Sequence, residues 1–186
     1  ELNEKLLSKV TKSRRNSISY ALKVMEKLII HFNIKKIYFS SSGIREGYIL
    51  SKILNTRISD PFIFQIKRMS NSTMKRHMAE ALFFWIKNAV DTSALKSDIL
   101  RSACWVSNIA WDIHPEHRRL YAMDRILWYP FYGIDRSERI ELALIMYFRH
   151  SNAIKDKQVS EFYDKLEKKI RMRCKFIGQC LRLAHH

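Results

Sequence analysis

The residue types best suited to chemistry crowd into one stretch, Trp111-Asp112-Ile113-His114-Pro115-Glu116-His117-Arg118-Arg119. Histidine, aspartate and glutamate are the ligands of a zinc or manganese site. The spacing argues against that use. Pro115 interrupts the helix between the two histidines, so His114 and His117 do not share the i, i+4 face of an HExxH site, and Arg118 and Arg119 oppose a cation. No metal is expected here. The better reading is a helix start, with Pro115 in the first turn and Glu116 beside the positive end of the helix dipole.

A second group lies at Lys165–Lys175, where six basic residues and one acidic residue share a helical pattern. Leu166, Ile170 and Cys174 would form its buried stripe. The remaining charge is either a solvated helix face or a surface that neutralises phosphates, and Lys168, Lys169, Arg171 and Arg173 are the candidate contacts. Trp85, Trp105, Trp111 and Trp128 fall on apolar stripes and are expected in the core, not as stacking platforms for bases. Cys104, Cys174 and Cys180 form no CxxC pair and no zinc spacing. They read as reduced, structural thiols of a cytoplasmic protein.

The elements that must position these groups are mostly helices. The chain has 186 residues, 47% of them apolar, with only four Gly and three Pro, which is too little turn chemistry for an all-β fold. No run approaches the length of a membrane span, so no membrane partner is expected. The net charge of +16 is spread as +7 over residues 1–54, +5 over 55–157 and +4 over 158–186. Such a distribution suits a body with basic faces better than a detachable basic tail, and it favours polyanionic partners without naming one.

After Ser17, a plausible N-cap, Ile18, Leu22, Met25, Ile29 and Phe32 recur as one buried helical face ending near Asn33. Lys36-Ile37-Tyr38-Phe39-Ser40 reads as a strand, Ser-Ser-Gly as a turn, and Ile44 to Leu54 as a helix. Beyond Asp60-Pro61 the pattern is helical throughout, over 62–67, 73–90, 96–110, 116–131, 136–150 and 158–183. The expected fold is therefore mainly α, with a partial α/β unit over residues 1–54 and an all-helical domain over 55–186.

The stretch Ser13-Arg14-Arg15-Asn16-Ser17-Ile18-Ser19-Tyr20-Ala21, the strand, and Ser42-Gly43-Ile44-Arg45-Glu46-Gly47 resemble the end of the second actin-like (ribonuclease H-like) domain of the Ppx/GppA exopolyphosphatase family. Residues 100–111, His114-Pro115, Phe131-Tyr132-Gly133-Ile134-Asp135, Tyr147-Phe148-Arg149-His150 and Leu181-Arg182-Leu183-Ala184 resemble the helical, HD-like C-terminal domain of its alphaproteobacterial members. The resemblance implies a parent hydrolase that releases terminal phosphate from inorganic polyphosphate, or the 5′-phosphate of pppGpp, with Mg²⁺ in an actin-like cleft. The family's phosphate loops and catalytic carboxylate precede the matching region. No catalytic residue and no cofactor is therefore assigned to this chain, which is expected to bind polyphosphate or pppGpp and to support a homodimer.

HD phosphohydrolases hold a metal with separated histidines and a His-Asp pair. By the resemblance, His77 takes the first histidine position, whereas Ser107-Asn108 replaces the pair, and a neutral hydroxyl and amide are poor ligands for a divalent ion. A retained fold without metal chemistry is expected. The motifs also make Arg15 and Arg45 candidate phosphate contacts, with an ion pair to Glu46 as the competing role for Arg45. Rival readings are an independent basic helical module that binds nucleic acid, and a free-standing metal phosphohydrolase. The first would show exposed aromatics beside Lys and Arg, and the second is disfavoured by Ser107-Asn108.

Overall fold

The computed structural model describes residues 8, 10–37, 43–53, 60–89 and 97–186. The chain divides into two compact units, Glu1–Tyr38 and Phe39–His186. In the first, α1 spans Lys12–His31, and Ser17 lies within it, donating from Oγ to Arg14 O (3.2 Å). The N-cap is Thr11, six residues ahead of Ser17. The helix ends in a Schellman turn, with Asn33 N–H bonded to Ile30 O, Ile34 N–H bonded to Ile29 O, and Asn33 in the left-handed region at φ 49°. Asparagine tolerates that conformation better than most residues with a Cβ. The apolar stripe of α1 is not buried, contrary to expectation. A stripe at helical spacing supplies a face to cover, but only a second packed element covers it.

Among the described residues there is no strand, and the protein is mainly helical. Lys36 and Ile37 are irregular, Tyr38 to Ser40 lie outside the described residues, and the expected α/β unit is not found. A single run of strand-forming residues without a pairing partner has no ladder in which to satisfy its backbone.

The second unit begins with α2, Ile44–Ile53, at whose start the Gly43 N–H donates to Glu46 Oε2 (2.7 Å). In α3, Pro61–Ser70, Asp60 accepts from the N–H groups of Phe62 and Ile63 while Pro61 opens the first turn. There follow α4 (Arg76–Lys87), α5 (Ser97–Val106), α6 (Arg118–Leu127), α7 (Arg136–His150), α8 (Lys157–Tyr163) and α9 (Lys168–Ala184). The single helix expected over 158–183 is thus two helices. The start expected at Pro115 and Glu116 falls in a turn, and α6 opens at Arg118 with no acid in its first turn.

The core is built around α7. Its residues from Glu141 to Phe148 are all buried, which requires neighbours on every side. α6 and α9 make the largest contacts with it, and α5 packs on it as well as on α3 and α4. Leu142, Leu144, Ile145 and Phe148 belong to one buried cluster with Ile126, Leu100, Cys104 and Ile177. Cys174 is buried at the centre of its predicted stripe, with Leu166 and Ile170 half-buried against the core. All three cysteines are free. Of the tryptophans only Trp105 is in the core. Trp85, Trp111 and Trp128 are 48%, 59% and 73% exposed, because Trp111 and Trp128 lie past the ends of α5 and α6 and Trp85 sits off the stripe formed by Ala79, Phe83 and Ile86.

Candidate functional site

Ser107 and Asn108 occupy the turn that leaves α5. The Ser107 hydroxyl donates to Cys104 O (2.9 Å) and lies 2.9 Å from His185 Nε2. A hydroxyl that has given its one proton to a carbonyl can only accept, so Nε2 carries the imidazole hydrogen. Asn108 Nδ2 donates to Thr73 O (3.1 Å). His77 is exposed in the first turn of α4 and hydrogen-bonds to neither of them among the described residues. Ser107 and Asn108 offer a hydroxyl and an amide partly committed to backbone, and no group of three or more His, Cys, Asp or Glu among the described residues is placed to hold a metal.

What surrounds Ser107 is positive charge. Arg149 Nε, at the last turn of α7, donates to Ser107 O (2.6 Å), and among the described residues its Nη groups have no hydrogen-bond partner. Arg118, from the start of α6, uses Nε and Nη2 on the carbonyls of Ile113 (2.6 Å) and Trp111 (2.9 Å). Arg149 is held down to about 10, by burial first and then by the charges of Arg118 and Arg182. His150 is held down to about 3 by burial and by Arg149, Arg118, His185 and Arg182, and His185 to about 4 by burial and Arg149. Each of these groups is half-buried. Among the described residues, no carboxylate forms an ion pair with Arg118, Arg149 or Arg182. His185 also lines an apolar cleft of about 320 Å³ between α4 and the end of α9, together with Met78, Ala81, Leu82, Trp85 and Ala184.

In the sequence Tyr147-Phe148-Arg149-His150, His114-Pro115 and Leu181-Arg182-Leu183-Ala184 are separate motifs, and nothing there joins them. The available signal was an arginine and a histidine closing a helix whose residues from Glu141 to Phe148 are all core.

The six candidate phosphate contacts are placed differently from one another. Lys168 and Lys169 are exposed in the first turn of α9. Arg171 is 3.6 Å from Asp164 and lies over the Tyr163 ring at 5.3 Å. Arg173 faces the core, where Nε and Nη2 both donate to Glu141 Oε1 (2.8 and 2.6 Å). Burial raises the Glu141 carboxyl above its ordinary value, against the opposing pull of Arg173. Arg45 is exposed; its neighbour Glu46 is bonded to Gly43 N–H. Arg15 is exposed and donates to the carbonyls of Val10 (2.9 Å) and Ser8 (3.1 Å).

The family model for the exopolyphosphatase C-terminal domain matches residues 81–186, a span that contains α5 to α9 and the whole basic cluster. No curated protein sequence matches the chain.

Proposed function

Because the chain belongs to the exopolyphosphatase family through its C-terminal domain, we propose that it is the substrate-holding part of an enzyme that releases terminal phosphate from inorganic polyphosphate or the 5′-phosphate of pppGpp. It binds the polyanion and supports a homodimer, while Mg²⁺ and the hydrolytic carboxylate belong to the parent's actin-like cleft. The observation that carries the reading is the cation excess that survives ion pairing. Arg101, Arg119, Arg171 and Arg173 are paired with Glu80, Asp156, Asp164 and Glu141, yet the net charge is +16 and Lys168 and Lys169 stand exposed. An ammonium on a flexible stem is a point charge that follows a flexible chain of phosphates without demanding one geometry.

A second reading, a nucleic-acid-binding module, is favoured by the exposure of Trp85, Trp111 and Trp128, since bases stack on exposed rings and phosphate chains do not. One experiment separates the two. Binding of labelled long-chain polyphosphate is measured between about 50 and 200 mM salt, with single-stranded RNA of equal charge as competitor. The log of affinity should fall linearly with log salt, by roughly 0.7 per phosphate contact, and RNA should compete weakly. Preferential binding of RNA, or affinity indifferent to salt, would reverse the reading.

A further inference from the structure

We infer that the outward face of α9, carried by Met172, Phe176 and Leu183 and flanked by Lys168, Lys169 and Lys175, lies on an anionic lipid surface with its apolar side chains inserted and its lysines among the headgroups. The first argument is the pattern. α9 already buries Cys174, Ile177, Gly178 and Leu181, and its largest contact is with α7. Met172, Phe176 and Leu183 recur at spacings of four and seven on the opposite side, where they are 63%, 48% and 68% exposed. Gln179 shares that side, but its Nε2 donates back to Phe148 O (3.0 Å) and Ser151 O (2.9 Å), so its amide does not break the stripe. A helix that packs one apolar face and exposes a second carries more apolar surface than its own fold uses.

The second argument is charge. α9 has no Asp or Glu, and its cations divide by type. Arg171 and Arg173 pair with Asp164 and Glu141, whereas Lys168, Lys169 and Lys175 stand exposed three or four residues from Met172. A lysine stem can lie along apolar surface and lift its ammonium to the edge. An anionic bilayer meets both parts at once, since the acyl chains receive the apolar groups and the headgroups receive the ammoniums. A second copy of the same face would set lysines against lysines, and a neutral surface would offer them no counter-charge.

The third argument is what stands beside the helix. Ala184 and His185, which follow Leu183, line an apolar cleft with Met78 and Trp85 of α4, and the Trp85 ring is half-exposed. Indole rings favour the level of the headgroups. The expectation of no membrane partner rests on spanning length alone. No helix among the described residues is long and apolar enough to cross a membrane, but a helix that lies on one sinks its apolar face only about 5–10 Å. This inference does not depend on polyphosphate binding, which rests on the lysines without the apolar stripe.

The test is co-sedimentation of the full chain with vesicles of phosphatidylcholine containing phosphatidylglycerol, and with phosphatidylcholine alone, at low and high salt. Three chains are compared. They are the natural sequence, Met172→Gln with Phe176→Gln and Leu183→Gln, and a control, Ile44→Gln with Tyr48→Gln and Ile49→Gln, which removes three exposed apolar side chains from α2. The natural chain and the control should bind the anionic vesicles and keep part of that binding at high salt. The α9 variant should bind about tenfold or more weakly at high salt, while holding long polyphosphate as the natural chain does. Binding wholly abolished by salt, an equal loss in both variants, or equal binding to phosphatidylcholine alone overturns the inference. So does a natural chain that is dimeric by light scattering beside a monomeric α9 variant, for then a second copy covers the face. A second measurement reads insertion directly: Phe176→Trp should add fluorescence that brominated acyl chains quench, and Ile44→Trp should not. Absence of quenching at position 176 would also overturn the inference.

Discussion

His150 is a histidine that the folded chain keeps neutral. Its neighbours are Arg149, Arg118, Arg182 and His185, and with burial they hold its imidazole down to about 3. In the unfolded chain a histidine titrates near pH 6.5. Above that pH both states are neutral and stability is complete. As pH falls, the unfolded chain takes a proton that the fold refuses, so stability is lost progressively from about pH 6.5 towards 3. His185 adds to the same loss down to about pH 4. Between pH 7 and 5 His150 should account for roughly 1–2 kcal/mol. Urea unfolding across that range checks it, because His150→Gln should flatten the pH dependence by about one proton, and an unchanged slope would sink the assignment. None of this was legible in the sequence. His150 and Arg149 adjoin one another there, but Arg118 and Arg182 lie on other helices. Arg173 shows the same limit, since a basic run on α9 gives no sign of Glu141 32 residues earlier.

At the scale of the elements, α9 approaches α7 so closely that only glycine fits at position 178. A Cβ there would stand 2.5 Å from Phe148 Cβ and 2.8 Å from Ile145 O, against atoms that no rotamer change can move. Gly178→Ala should therefore destabilise the chain by about 2 kcal/mol or more, even though alanine is the better helix former by roughly 1 kcal/mol. Gly47, inside α2, is the control, for its Cβ would meet nothing within 4 Å. Gly47→Ala should be neutral or stabilising by up to about 1 kcal/mol. Chemical denaturation of both variants checks the pair, and equal effects would contradict the close approach. Helix α7 was legible to the residue from its apolar spacing over 136–150, and the capping box of Asp135 and Glu138 shows what fixes its start. The break between α8 and α9 was not, because apolar spacing runs through Leu166 and hides the turn. The stripe of α1 was read correctly as amphipathic and wrongly as buried, since periodicity marks which face can be covered and says nothing of whether a partner covers it.

For the molecule as a whole, the question is whether polyanions are held by total charge or by particular side chains. A net charge of +16 raises the local concentration of any polyanion, so affinity alone decides nothing. Placement can be isolated by changing charge equally at two sets of exposed lysines. Reversing Lys168 and Lys169 to Glu removes the adjacent pair that opens α9, and reversing Lys35 and Lys157 makes the same change in net charge at scattered positions. The first reversal leaves the Arg173–Glu141 pair untouched, so folding is not confounded with binding. If phosphates of the chain sit on the adjacent pair, that variant should bind long polyphosphate more weakly, and its slope of log affinity against log salt should be shallower by about 1.4, the share of two contacts. The scattered variant should weaken binding less and keep the slope of the natural chain, because it lowers the general field without deleting contacts. Fluorescence titration across the salt range reads both quantities. Equal losses of slope from the two variants would mean that the field alone attracts the polyanion, and the proposed contacts at Lys168 and Lys169 would fall.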